Sequence, residues 1–398
     1  MSVDYAALLS FAHEHSTEDP LKLLLRQSHY PDIDLRMVVQ QLEGQRQASA
    51  KWPTLASIDG YFFPPRLNRE QSSCEAAARY NARLFAQLGG GTFADLTGGM
   101  GVDCYFLAQE ARDADYCECD ASLADIARHN FAALHQYNIR CHIGDSLARL
   151  RDNPSLCYDA LFIDPARRDS QGRKMVAFED CTPNLLDNLP LLLARCRHLL
   201  VKASPMIDIQ QALNQLQQVS QVHVFASAGE CKEVLFVLSS NACGEPTLHC
   251  VNQSRSDISQ ISFTPSDEEV AASRVAYAPT MGQYLYEPHA AIMKGGCFNY
   301  LGALYGVAKL ARNTHLYTSN QHIDCFPGRC FEVLQELPLN VKETRKTLPD
   351  GAAHVIARNY PMAADALQRK LKLREGGTLF VVAASLGQRP MGWLCRLL

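Results

Sequence analysis

Residues 93–103 read FADLTGGMGVD, and this stretch decides the fold. It has the pattern of a buried strand, then a glycine-rich turn, then the start of a helix near Cys104. Because glycine has no Cβ, the turn lets the backbone approach a ligand closely, and the first N–H groups of the helix can receive a carboxylate. Asp95, at the strand end, is placed to bind a cationic amino group. The stretch therefore predicts a ligand-binding turn in an α/β sheet.

Strand-like and helical runs alternate around this turn, as a parallel sheet requires. Helical stretches separate the first five strand-like runs, whereas residues 227–232, between the last two, are too few for a crossover helix. We therefore expect the sheet to close with an antiparallel pair. The predicted strands are residues 92–96, 114–119, 139–143, 160–163, 198–202, 222–226 and 233–238.

Acidic residues follow the second and third of these strands. Glu118 lies where an acidic side chain can accept both hydroxyls of a ribose. Asp120 is the alternative for that role, or caps the helix beginning at Ser122. Asp145 can accept an adenine amino group while the amide of its neighbour supports a ring nitrogen, and capping of the next helix is compatible with that role.

Residues 159–168, DALFIDPARR, form an apolar strand that ends where open α/β sheets bind their ligands. Asp164 and the carbonyl of Pro165 can accept hydrogen bonds from a substrate nitrogen, so that catalysis consists mainly of positioning and desolvation. Arg167 and Arg168 either hold phosphate groups or are solvated loop charges. Lys202 is expected to pair with Asp164 or with a substrate phosphate, unless it is an ordinary strand-end lysine.

The overall charge excludes a surface that binds polyanions without discrimination. The 398 residues carry a formal net charge of -4, with 47% hydrophobic and 20% charged residues. Residues 342–375 are a local exception, with eight Lys and Arg against four Asp and Glu, and they include QRKLKLR at 368–374. This run is either an RNA-binding face or the solvated side of a helix.

The 15 cysteines are scattered and lack metal-ligand spacing, so we expect no metal. The first twenty residues lack the features of a secretory signal, and no apolar run is long enough to span a membrane. We therefore expect a cytoplasmic protein without a membrane partner. The oligomeric state cannot be read from the sequence.

The motifs, in their order along residues 70–240, resemble those of class I S-adenosylmethionine-dependent methyltransferases, whose sheet ends with an antiparallel seventh strand. DLTGGMGVD at 95–103 is similar to the D-x-T-A-G-x-G turn of ribosomal and transfer RNA methyltransferases. DPAR at 164–167 resembles their D-P-P element, with Ala166 in place of the second proline and no aromatic residue after it. Enzymes with these motifs commonly methylate nitrogens of guanine or adenine, and the two departures put adenine in doubt.

Two further segments extend the resemblance. Residues 71–80, QSSCEAAARY, are similar to a helix that closes one side of the cofactor pocket in several RNA-modifying relatives. LYEP at 285–288, LYTS at 316–319, FPGR at 326–329 and LKLREGG at 371–377 look like an uncharacterised bacterial family of such enzymes. Its members are described as carrying a ferredoxin-like segment and a C-terminal THUMP-like domain, and THUMP domains are associated with RNA.

The residues and the resemblance together give a set of expected roles. S-adenosyl-L-methionine is the expected cofactor, bound by Gln71, Ser72, Asp95, Thr97, Gly98, Gly99, Gly101, Asp103, Glu118, Cys119, Asp145, Ser146 and Asp164. The expected catalytic residues are Asp164, Pro165, Arg167 and Lys202. RNA is the expected partner, bound by Arg167, Arg168, Arg369, Lys370, Lys372 and Arg374.

We therefore predict an α/β protein with a Rossmann-like seven-stranded methyltransferase core, a helical N-terminal domain and a small α+β C-terminal region. The expected domains are 1–65 (helical), 66–242 (methyltransferase), 243–324 (ferredoxin-like, linking) and 325–398 (THUMP-like). The expected activity is N-methylation of a base in structured RNA, either tRNA or rRNA. The alternatives are an RNA-binding protein with a vestigial cofactor pocket, an NAD-dependent oxidoreductase, and a methyltransferase that acts on a protein or a small molecule. The oxidoreductase predicts G-x-G-x-x-G and leaves Asp95 and Asp164 without a role.

Overall fold

The computed structural model of the chain describes residues 3–165, 178, 181–254 and 257–398. The chain divides into two compact units. The first comprises Met1–Gln221 and Lys232–Gly244, and the second comprises Val222–Cys231 and Glu245–Leu398. No helix in the described part of the chain is both long and apolar enough to cross a membrane.

The first unit begins with helices, as the spacing of apolar residues predicts. The elements are α1 Tyr5–Glu14, α2 Pro20–Leu24, a 3-10 turn Gln27–His29, α3 Leu35–Lys51, α4 Pro53–Ala56, α5 Arg66–Gln71 and α6 Glu75–Gln87. The carboxylates of Asp4, Asp19 and Asp34 cap α1, α2 and α3 by accepting backbone N–H groups. The helical pattern of the sequence predicts one helix from residue 69 to 88. This prediction is wrong, because Ser72 and Cys74 are extended and separate α5 from α6.

A mostly parallel sheet follows, and all seven predicted strands are confirmed. Six of these strands lie mainly in the first unit, and most of the sixth strand, residues 222–227, belongs to the second. The elements are β1 Gly91–Asp95, α7 Val102–Gln109, β2 Ala111–Glu118, α8 Ala121–Ala133, β3 Ile139–Ile143, α9 Ser146–Asp152, β4 Tyr158–Ile163, α10 Leu185–Leu193, β5 Cys196–Ala203, α11 Ile209–Gln215, β6 Val219–Ser227 and β7 Glu230–Ser239. Within the unit the order is β3-β2-β1-β4-β5-β7. The first five strands are parallel and β7 runs antiparallel to β5. Ala228 and Gly229, both at positive φ, form the tight turn that joins β6 to β7.

The sheet register brings the strand ends together at one edge. Asp95, the last residue of β1, is paired with Tyr116 of β2 and with Phe162 of β4. Phe93, Phe106 and Phe162, each 2% exposed or less, lie in the core beneath this edge. Side chains that follow β1, β2 and β4 therefore converge on one place.

The second unit is an α+β structure. Its elements are β8 Thr247–Gln253, β9 Ile258–Phe263, α12 Pro265–Ala272, β10 Tyr284–Pro288, α13 Ala290–Gly295, α14 Asn299–Tyr305, β11 Ala308–Ala311, β12 Thr314–Ser319, β13 Gly328–Glu336, α15 Val341–Thr347, β14 His354–Arg358, α16 Ala364–Leu371, β15 Leu379–Leu386 and β16 Arg389–Leu397. Seven of these strands form one sheet, in the order β11-β12-β10-β13-β16-β15-β14. Short strand-like runs in the sequence at 330–334, 354–357 and 378–383 also predict strands, and they coincide with parts of β13, β14 and β15.

The sequence missed the antiparallel pair of β8 and β9. The polar composition after residue 242 gave no sign of strands, yet β8 buries Cys250 and Val251 completely. In β9 most side chains are exposed, so the alternation there is too weak to predict a strand.

Trp52 links the N-terminal helices to the edge of the sheet in the first unit. Its ring is fully buried, and its Nε1–H donates to the carbonyl of Ser73 at 2.8 Å. This bond fixes the extended segment between α5 and α6. The position of Ser73 therefore depends on a side chain from a separate helical segment.

Trp52→Phe should destabilise the protein by about 1–3 kcal/mol, because the Ser73 carbonyl loses its buried donor. The free energy of unfolding in urea, followed by circular dichroism, measures this. Gln47→Ala, at an exposed position of α3, is the control and should stay within about 0.5 kcal/mol of wild type. Equal stabilities for Trp52→Phe and Gln47→Ala would contradict the structural role of the indole N–H.

Candidate active site

The turn after β1 accepts only glycine at two positions. A Cβ on Gly98 would lie 2.2 Å from Cε2 of Tyr116. Gly101 has φ +81°, and a Cβ there would meet the ring of Phe131 at 2.8 Å. The Tyr116 hydroxyl donates to the Gly99 carbonyl at 2.7 Å. The turn is thus held against β2, and it has no room for a side chain at Gly98 or Gly101.

Asp95 lies at the floor of this turn and is 2% exposed. The amide of Thr97 donates to its Oδ1 at 3.0 Å. Burial raises the pKa of Asp95 to about 8, although the Thr97 hydrogen bond opposes the shift. A ligand cation placed beside Asp95 would offset the free-energy cost of its buried negative charge and favour the ionised form.

Lys202, at the end of β5, lies at the centre of a buried polar cluster and is 4% exposed. Its Nζ lies 2.6 Å from Oδ2 of Asp164, 3.1 Å from Oδ2 of Asp103 and 2.6 Å from Oγ of Ser73. Burial opposes the charge on Lys202, but Asp103, Asp164 and Glu233 outweigh it and raise its pKa above the ordinary value. Lys202 is therefore an ammonium with three partners for its three N–H bonds.

Of the contacts expected for Lys202, the structure contains the one with Asp164. The phosphate contact does not fit the geometry, because a nearly inaccessible ammonium with three partners has no donor to offer. Asp164 is also tied to the glycine turn, since its amide donates to Oγ1 of Thr97 at 2.7 Å. Its neighbour Pro165 is buried.

Three members of this cluster were missed by sequence reasoning. Ser73 donates to Oδ2 of Asp103 at 2.5 Å. Asn81, on α6 and fully buried, donates through Nδ2 to Oε1 of Glu233 at 2.8 Å and to Oδ1 of Asp103 at 3.3 Å. Glu233 on β7 is 3% exposed, and burial raises its pKa. Two features of the sequence could have indicated them: Glu233 precedes the apolar run of a strand, and Asn81 lies on the apolar face of an amphipathic helix.

The acidic residues after β2 hold the local backbone. Glu118 accepts the amide of Gly99 through Oε2 at 2.8 Å and the amide of Asp120 through Oε1 at 2.9 Å. Asp120 caps α8 by accepting the amides of Ser122 and Leu123. The sulfur of Cys119, an exposed residue, lies 3.5 Å from the Gly144 carbonyl. Glu118 thus lies directly against the glycine turn, while Asp120 has the capping role.

The residues after β3 also serve local structure. Asp145 caps α9 by accepting the amides of Leu147 and Ala148. The buried Ser146 donates to the carbonyl of Leu96 at 2.8 Å. The binding of adenine by this segment stays a prediction, and the capping bond of Asp145 is compatible with it.

The remaining expected residues lie apart from the cluster or outside the described residues. Arg167 and Arg168 belong to residues 166–177, which are outside the described part of the chain. Gln71 is exposed, and the hydroxyl of Ser72 donates to the Arg69 carbonyl at 3.2 Å. In this segment it is therefore Ser73 that reaches the polar cluster. No group of three or more His, Cys, Asp or Glu side chains within the described ranges could hold a metal ion.

The expected RNA-binding residues lie in the second unit. Leu367 and Leu371 of α16 are buried, and Lys372 ends that helix with φ +57°. Four basic side chains around them are exposed, namely Arg369, Lys370, Lys372 and Arg374. The segment is therefore a basic surface over an apolar underside.

Known proteins resemble this chain over both of its units. A crystal structure of a candidate methyltransferase from Porphyromonas gingivalis W83 is 29% identical, covers 99% of this chain and 98% of that chain, and superimposes with a TM-score of 0.87. An uncharacterised S-adenosylmethionine-dependent methyltransferase of Mycobacterium tuberculosis, found in strains CDC 1551 and H37Rv, is 28% identical over 82% of this chain and 87% of its own length. The chain is an S-adenosylmethionine-dependent methyltransferase.

Family models match the second unit of this methyltransferase. Residues 284–327 match a ferredoxin-like domain, and residues 328–397 match a THUMP-like domain. The predicted core of the methyltransferase and its α+β C-terminal region are confirmed. The exact domain boundaries stay a prediction.

Burial of Asp95 should make the stability of the methyltransferase depend on pH. The pKa of an aspartate in the unfolded chain is about 3.9. Between there and the folded value of about 8, the folded state binds a proton that the unfolded state has released. The free energy of unfolding therefore falls as pH rises through this window, with a limiting slope of about 1.4 kcal/mol per pH unit from this group.

Asp95→Asn should remove that contribution, because the amide does not titrate and its oxygen can still accept from Thr97. The variant should match wild type near pH 4–5 and become relatively more stable towards pH 8–9. Urea unfolding of both proteins across this range is the measurement. A constant difference in stability at all pH values would mean that Asp95 ionises normally in the folded protein.

Proposed function

We propose that this methyltransferase transfers a methyl group from S-adenosylmethionine to a nitrogen of a base in structured RNA, either tRNA or rRNA. The observation that carries the proposal is the contact of Asp164 with Lys202 and Thr97. It places a carboxylate, directly before a buried proline, beside the glycine turn where the donor is expected. Such an arrangement suits a reaction in which orientation of a weakly basic nitrogen is the main requirement.

The charges of the site support this donor over a nicotinamide dinucleotide. Asp95, Asp103, Glu118 and Asp164 surround the turn, and Lys202 is already paired with two of them. A pyrophosphate would bring further negative charge to this place, whereas the ammonium and sulfonium groups of S-adenosylmethionine bring positive charge. The glycine turn accommodates a close approach by either ligand, so the charge is the deciding feature.

Specific residues fit the parts of the donor. Asp95 and the turn at Thr97, Gly98, Gly99 and Gly101 would hold the methionine end, with Asp103 behind it. Glu118 and Cys119 would hold the ribose, and Asp145 and Ser146 the adenine. When bound, S-adenosylmethionine supplies an electrophilic methyl carbon.

Asp164 and Lys202 would act on the substrate side. Lys202 engages Oδ2 of Asp164 and fixes the direction of its carboxylate, and the other oxygen would accept a hydrogen bond from the substrate nitrogen. The carbonyl of Pro165 would be the second acceptor, since proline needs no partner for an N–H. Lys202 cannot serve as a base, because its pKa is raised and each of its three N–H groups already has an acceptor.

The second unit supports RNA as the substrate class. Its C-terminal domain is THUMP-like, and THUMP domains are associated with RNA. The exposed basic residues from Arg369 to Arg374 provide local positive charge on a chain whose net charge is negative. Arg167 and Arg168 would contribute phosphate contacts near the reacting base.

Asp164→Asn should lower kcat for RNA methylation by about 100-fold, because the amide loses the ion pair that orients the side chain. Binding of S-adenosylhomocysteine, measured by calorimetry, should change much less. Asp152→Asn, at the exposed end of α9, is the control and should leave both unchanged. Full activity of Asp164→Asn would defeat the proposed role, and a protein that binds NADH instead of the methyl donor would support the oxidoreductase.

The substrate itself is tested in cells that lack the gene. Mass spectrometry of nucleosides from their tRNA and rRNA should reveal one N-methylated base missing, restored by wild type but not by Asp164→Asn. Restoration by both would favour a non-catalytic RNA-binding protein. An unchanged nucleoside profile in both RNA classes would reject RNA base methylation.

A further inference from the structure

Two arginines in the second unit converge on one buried carboxylate. Glu287, in β10, is 5% exposed. Arg329 of β13 donates to its Oε2 through Nε at 2.8 Å and also through Nη2. Arg358, at the end of β14, donates to Oε1 through Nε at 2.9 Å, with its Nη2 at 2.8 Å from the same oxygen. We call these three residues the arginine fork.

The fold builds the fork from strands that are far apart in the sequence. Glu287 and Arg329 are direct partners in the register between β10 and β13. The Arg329 guanidinium also lies 5.4 Å from the ring centroid of Phe331 and 5.9 Å from that of Phe380. These contacts restrict the side chain of Arg329, which would otherwise sample many rotamers.

The charges of the fork are not balanced. One carboxylate neutralises one guanidinium, so the group carries a surplus of one positive charge. Stability of the sheet does not require that surplus, because Glu287 would remain paired if either arginine were removed. The side chains of Arg329 and Arg358 are 45% and 47% exposed, whereas that of Glu287 is 7% exposed. The surplus positive charge is therefore exposed to solvent, while the buried carboxylate of Glu287 holds both guanidinium groups in place.

We propose that the arginine fork binds a phosphodiester group of the RNA substrate. A single phosphodiester carries one negative charge, which matches the surplus, and guanidinium groups can donate to its oxygens in pairs. The site lies on the sheet shared by the ferredoxin-like and THUMP-like segments, outside the basic run from Arg369 to Arg374. This inference rests on the proposed function, since it takes RNA as the ligand.

Arg329→Gln and Arg358→Gln test the fork one arm at a time. Each variant leaves one arginine on Glu287, so the sheet should fold, and circular dichroism checks this. The probe is unfractionated tRNA, with affinity measured by fluorescence anisotropy between low and physiological salt. Each variant should bind about 5-fold more weakly at physiological salt. The slope of log K against log salt should become shallower by about one.

Arg389→Gln is the matched control, because Arg389 is exposed on β16 of the same sheet and its loss changes the charge equally. It should weaken binding less than either fork variant. Arg329→Lys provides a second comparison, since it keeps the charge but loses the paired donors. It should keep the wild-type salt slope and lose affinity.

The outcomes separate this inference from the proposed function. If wild type binds RNA and both fork variants behave like Arg389→Gln, the fork is structural and only this inference falls. If wild type binds no RNA at all, the RNA substrate and the fork site fall together. If Arg329→Gln does not fold, Arg358→Gln and Arg329→Lys decide by the same criteria.

Discussion

The first unit depends on the buried ammonium group of Lys202. It bridges the segment before α6, the first turn of α7 and the end of β4, through Ser73, Asp103 and Asp164. A buried lysine is tolerated only when its donors are satisfied, and removing one member of a buried ion pair costs about 3–5 kcal/mol. Because Asp103 lies on the expected donor side and Asp164 on the substrate side, the same group holds both halves of the site in register.

The cluster also determines which ligands the site can accept. Its acids outnumber its one lysine, and burial raises the pKa values of Asp95 and Glu233, so a cationic ligand would displace protons from these two acids. Binding of a positively charged donor is then linked to proton release. The polarity of the glycine turn thus comes from side chains rather than from its backbone shape, which other nucleotide-binding proteins share.

Local patterns were sufficient for the sheet but not for the cluster. The strands and the residues at their ends follow from alternation and from glycine and acid positions within short segments. Ser73 and Asn81, in contrast, meet partners 129 and 152 residues away, and no local pattern reports such a contact. The break between α5 and α6 was missed for the same reason, since the Trp52 indole that holds it belongs to another segment. The strands β8 and β9 were not predicted, because the alternation of polar and apolar residues in this segment is weak.

The pairing of β10 with β13 has a consequence for how the C-terminal region folds. The ferredoxin-like match ends at residue 327 and the THUMP-like match begins at 328, yet these two strands are hydrogen-bonded neighbours in one sheet. Separating the two segments would leave β10 and β13 each with an unpaired backbone edge, and exposed edges of this kind promote aggregation. The two segments are therefore expected to fold as one unit, although the family models divide them at residue 327.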